Sequence, residues 1–114
     1  MTVSQIVNDP AIYYPGAVTF TATIDDFLQN SSGETAAMNV TDPNDPTSVL
    51  YVQLSLWADV TQMNKGDTVV IWGTGEGTVS GKNGFGGSIQ EAAVQENYLT
   101  DTTTGYQDDS DPSP

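Results

Sequence analysis

A polar turn, Asn64-Lys65-Gly66-Asp67, runs straight into Thr68-Val69-Val70-Ile71-Trp72-Gly73. Turn residues followed by β-branched and aromatic ones predict a central, largely buried strand. The run continues as Thr74-Gly75-Glu76-Gly77-Thr78-Val79-Ser80, where glycines interrupt it. Glycine inside a strand marks a bulge, a bend or a close backbone approach. A long strand bending at a glycine cluster is how a small barrel turns a corner, and this stretch limits the chain to few folds.

The rest of the chain supplies partners for that strand. Val18, Phe20, Ala22 and Ile24 alternate with Thr19, Thr21 and Thr23, so Ala17–Phe27 reads as a strand with one buried face. Thr35–Thr41 reads as a second, weaker strand, after a turn at Gln29–Glu34. Asp42-Pro43-Asn44-Asp45-Pro46 is a tight loop, because each proline fixes its own φ and restricts the residue before it. Val49–Leu56 forms a third strand, with Leu50, Val52, Leu54 and Leu56 on one face and Tyr51, Gln53 and Ser55 on the other. A short helix fits Trp57–Met63. Ser88–Gln95 forms the fifth strand after a glycine-rich loop, Gly81–Gly87, and Asn97-Tyr98-Leu99 closes the domain.

Residues 1–12 read as an N-terminal lead-in, either a short helix or loose chain, and residues 13–99 as the folded body. From 100 to 114 the composition turns to Thr, Asp, Ser, Gly and Pro, which bury too little apolar surface to offset ordering entropy. An acidic disordered tail or linker is expected there. The N-terminus lacks the features of a signal peptide. The chain is therefore expected to be cytoplasmic, or cell-surface or extracellular if an export segment lies outside it.

Composition excludes whole classes of chemistry. There is no histidine, cysteine or arginine, and 15 acids face two lysines, Lys65 and Lys82, for a net charge of -13. No imidazole base, thiolate nucleophile, Cys- or His-based metal site or bidentate phosphate fork can be built. Removing the four acids of residues 100–111 leaves eleven against the two lysines, so the body alone is near -9. Gly73, Gly75 and Gly77 are not followed by the Lys-Ser/Thr of a phosphate loop. Asp42, Asn44 and Asp45, or Asp108, Asp109 and Asp111, lack the glycine and closing Glu of a calcium loop, and read as turn chemistry and a solvated tail. No enzyme, cofactor or metal is expected.

The segment Asn64–Thr74, the loop Lys82–Gly87 and the closing strand Ser88–Leu99 resemble bacterial OB-fold domains, similar to the tRNA-anticodon-binding type. The resemblance covers roughly residues 13–99. It implies an all-β, five-stranded Greek-key barrel with a short helix between strands three and four. It also implies ligand binding on the face of strands two and three, framed by the loops Gln29–Glu34 and Gly81–Gly87. OB domains that bind nucleic acid carry a basic groove and exposed aromatics. Here only Lys82 lies in either loop, with Glu34 opposing it.

Candidate ligand-binding residues follow from position. Tyr51 belongs to the outer face of strand three. Phe85 sits among glycines, and either folds back onto the barrel or grips a ligand, with Lys82 and Asn83 beside it to supply hydrogen bonds. Trp72 and Trp57 are expected in the core, as large aromatics in small domains usually are. A body near -9 repels a polyanion. The favoured expectation is therefore a non-enzymatic binding or interaction module for a protein or a small or oligomeric neutral ligand, with nucleic acid not expected. The alternative is a single-stranded nucleic-acid-binding OB domain.

Overall fold

The computed structural model describes residues 1–29, 33, 35–55, 58–82 and 88–109, with the side chains of 80–82, 88–90 and 109 outside that description. Six strands form one sheet: β1 (Ala17–Gln29), β2 (Thr35–Asp42), β3 (Asp45–Gln53), β4 (Thr68–Lys82), β5 (Ser88–Asp101) and β6 (Gln107–Asp109). Their order is β3-β2-β1-β4-β5-β6. In addition Tyr51–Gln53 of β3 pairs in parallel with Ala93–Gln95 of β5, and this closes β1–β5 into a ring. The other pairings are antiparallel.

The alternation in the sequence becomes the inside and outside of this ring. Val18, Phe20, Ala22 and Ile24 of β1, Leu50 and Val52 of β3, and Val69 and Ile71 of β4 all enter one core. Thr19 and Thr21 stay exposed. The glycines of β4 act where it crosses β5. A Cβ at Gly73 would collide with the backbone oxygen of Gln95, and one at Gly75 with the backbone oxygen of Tyr13. Register shifts between Trp72 and Gly73 and between Gly75 and Gly77 let the paired strands bend around the core.

The helix differs from expectation in place. Between β3 and β4 the described chain forms only a single 3-10 turn, Val60–Gln62. An α-helix, α1 (Val3–Asn8), lies instead at the N-terminus, opened by a capping box of Thr2 and Gln5. Its Val3 and Ile6 are fully buried in the core. Asp42, at the β2–β3 turn, accepts hydrogen bonds from the Ser4 backbone N–H (3.1 Å) and hydroxyl (2.9 Å), which fixes the helix there. A second 3-10 turn, Pro10–Tyr13, follows α1 and packs against β4.

The segment expected to be a tail from residue 100 is, as far as 109, part of the sheet. β5 runs to Asp101, and β6 pairs back onto Tyr98–Thr100. Asp101 and Asp108 are buried, and Glu96 of β5 is buried as well. Ser55 links two of these acids. Its backbone N–H donates to Glu96 Oε1 at 3.2 Å and its hydroxyl to Asp108 Oδ2 at 2.8 Å. Asp101 Oδ1 accepts from the backbone N–H groups of Thr103 and Thr104 and so shapes the β5–β6 turn. Residues 110–114 lie outside the described residues.

Two predictions follow from this packing. Ile71 is fully buried and its neighbour Trp72 is 40% exposed. Ile71→Ala should therefore cost about 2–5 kcal/mol in urea unfolding, and Trp72→Ala within about 1 kcal/mol. The second concerns Asp101. Burial, and then a hydrogen bond with Asp67, push its carboxyl above the ordinary Asp value. A contact between two carboxyls needs a shared proton, so the stabilisation is complete below about pH 3.9 and is lost as pH rises through the raised value. Asp101→Asn keeps an acceptor for Thr103 and Thr104 and gains an amide donor towards Asp67. Thermal melts should place it a few degrees above the parent near pH 7, for about 1 kcal/mol, with the gap closing towards pH 4.

Candidate functional site

Tyr51 lies where its sequence position put it, on the outer side of β3. It is half-buried, while Leu50 and Val52 on either side are fully buried. It stands at the seam of the ring, opposite Asn39 of β2 on one side and Ala93 of β5 on the other. Asn39 Oδ1 is buried with no hydrogen-bond partner. Gln53 and Val49, two positions either way along β3, are exposed. The result is a phenol ring framed by neutral side chains and a backbone held by two neighbouring strands.

The other three candidates are not brought to this place by the described structure. Lys82 ends β4 opposite Ser88, and only its backbone is described. Asn83 and Phe85 lie outside the described residues, as does Trp57. Of the two framing loops, only Gln29 and Gly33 of the first and the strand ends of the second fall within the description.

Trp72 is a correction. Its expected place was the core, but it faces solvent with 40% of its surface exposed. The signal was parity. Val69 and Ile71 point inward, so Val70 and Trp72 point outward. Trp72 is paired in register with Tyr98 of β5 and Thr19 of β1. The two rings meet edge to face, with centroids 4.9 Å apart and planes at 74°, an arrangement that aromatic quadrupoles favour.

The electrostatics around these rings are uneven. Asp42, Asp45 and Asp59 sit at turns and are held below the ordinary Asp range by local donors, chiefly Asn44 N–H, the Thr47 side chain and the Thr61 side chain respectively. Lys65 makes a 3.0 Å ion pair with Asp26, and that hydrogen bond is the main reason the Asp26 carboxyl lies low. Glu96, Asp101 and Asp108 are withdrawn into the interior. By contrast the outward side chains Thr19, Thr21, Val70, Trp72, Thr74, Tyr98 and Thr100 carry no charge at all. Among the described residues no group of three or more acids could hold a metal ion, and no helix is long and apolar enough to cross a membrane.

No protein-family model matches the chain, and no curated protein matches it. Among solved structures it is similar to Rim1, a mitochondrial single-stranded DNA binding protein from S. cerevisiae. The TM-score is 0.50 at 9% identity, over 81% of this chain and 98% of that one. This likeness corrects the expectation of a protein or neutral oligomeric ligand with nucleic acid not expected, since the matching barrel is that of a DNA-binding protein. Net charge is not spread evenly: Glu96, Asp101 and Asp108 are buried, and Asp42, Asp45 and Asp59 are tied to turns. At this identity the likeness speaks to architecture: the five-stranded ring of this chain is an OB-fold.

Proposed function

We propose that this barrel is a non-enzymatic binder of single-stranded nucleic acid, holding its ligand by base stacking and not by phosphate neutralisation. The observation that carries the reading is the outward, half-buried Tyr51 of β3, paired with Asn39 of β2. That surface is where OB barrels receive oligonucleotides. A base stacked on an aromatic side chain contributes about 1–3 kcal/mol and needs no particular sequence. The likeness to a barrel of a DNA-binding protein supports the same reading. The resemblance of Asn64–Thr74 to anticodon-binding domains supports testing RNA beside DNA.

Charge then decides the form of the salt dependence. A protein that neutralises phosphates loses affinity with added salt, with a slope near -0.9 per contact on duplex DNA and near -0.7 on single strands. This chain carries 15 acids and two lysines, and one of those lysines is paired with Asp26. The long-range term between protein and strand is repulsive, and salt screens it. Stacking is short-ranged and survives. Fluorescent oligothymidylate and oligouridylate titrated at about 0.05 M and about 0.5 M salt should bind equally well or better at the higher salt. Tyr51→Ala should weaken binding about tenfold, equivalent to about 1.4 kcal/mol, and Tyr51→Phe should retain it. No binding at either salt, or identical binding by Tyr51→Ala, would refute the reading.

A further inference from the structure

We infer that the Trp72–Tyr98 pair is a second stacking platform for the same strand, reached from Tyr51 along the outer side of β5. The inference rests on the nucleic-acid reading above and adds the path of the ligand. Three observations carry it.

The first is continuity. β3 and β5 run parallel at Tyr51–Gln53 and Ala93–Gln95, so the outward edge of one passes to the other without a gap. β5 then continues to Tyr98, which sits in register with Trp72. The second is chemistry. Between the two aromatic sites the outward groups are amides and hydroxyls. Gln95 Nε2 donates to the Gln53 carbonyl at 3.2 Å, and Asn97 Nδ2 donates to Thr74 Oγ1 at 3.1 Å. These contacts tie Gln95 to β3 and Asn97 to β4. Asn97 is the extra residue of the bulge opposite Trp72 and Gly73, which turns the strand where the indole begins. The third is charge. The acids near this track lie at its margins. Glu91 and Glu76 stand near the Tyr51 end. The groups on the track itself, Gln53, Gln95, Asn97, Thr74, Tyr98 and Trp72, are uncharged, so a polyanion lying on it contacts no like charge from them.

The spacing gives the inference a length. From Ala93 to Tyr98 is at most about 16 Å at about 3.3 Å per residue, or about five bases stacked at about 3.4 Å. A strand of about three nucleotides reaches one platform only, and one of about ten reaches both, within the site sizes known for OB barrels.

The test measures oligothymidylates of about three and about ten nucleotides against the parent, Trp72→Ala, Trp72→Phe and Tyr51→Ala. Thermal melts first establish that each variant is folded. In the parent the longer strand should bind more tightly, beyond the gain from its larger number of registers. Trp72→Ala should remove that gain, weakening the longer strand about tenfold, while Trp72→Phe should restore most of it. If Trp72→Ala binds the longer strand like the parent while Tyr51→Ala weakens it, the second platform is wrong and the nucleic-acid reading stands. If no variant, nor the parent, binds either strand, the nucleic-acid reading itself fails and the platform with it.

Discussion

Three residues of parallel pairing, Tyr51–Gln53 against Ala93–Gln95, turn an open sheet into a barrel. Without them β3 would be an edge, with unpaired backbone groups facing water along its length. With them the inner faces of β1 to β5 enclose one core, and Val3 and Ile6 of α1 join it from one end. Closure demands that β4 and β5 bend, and bending demands backbone contact too close for a side chain. Gly73 meets that demand against Gln95 of β5, while Gly75 lets the N-terminal segment at Tyr13 lie against β4. The same pairing holds Tyr51 at the seam, so the constraint that makes the barrel also places its candidate binding residue.

Burial and exposure of charge are the second theme. The chain is strongly acidic, yet its acids are sorted. Some cap turns, where N–H and O–H donors hold them ionised. Others are buried in pairs or through a hydroxyl, as with Asp67 and Asp101, or Glu96 and Asp108 about Ser55. Few remain for the outer face of β1 and β4, which is covered by threonines, Val70 and Trp72. Net charge describes how two molecules meet at long range. Contact at short range is governed by local composition, and Gln53, Gln95, Asn97, Tyr98 and Trp72 along β3, β5 and β4 are uncharged.

The strands were legible because period-two alternation reports directly on which side chains enter a core, as in Val18–Ile24 and Leu50–Val52. Trp72 was legible on the same rule, but size argued for burial while parity argued for exposure, and parity decides. The buried Asp101 and Asp108 were not legible. A carboxylate in a Thr- and Asp-rich run reads as solvated, and only the tertiary fold supplies the donors and the partner carboxyl that let it be buried. The N-terminal helix was open to either reading. Thr2 and Gln5 form its capping box, but its reason for existing, the open barrel end that Val3 and Ile6 fill, is not local. Of the candidate site, parity made the outward position of Tyr51 legible, while Asn83 and Phe85 fall outside the described residues.

The central claim is that single-stranded nucleic acid lies across the outer side of β3 and β5. Backbone amide and indole resonances, followed while unlabelled oligothymidylate is added, test it most directly. The account predicts that the Trp72 indole N–H and the amides of 51–53 and 93–98 move together along one saturating curve. Shifts confined to the turn at 102–105, or none up to millimolar strand, would contradict it.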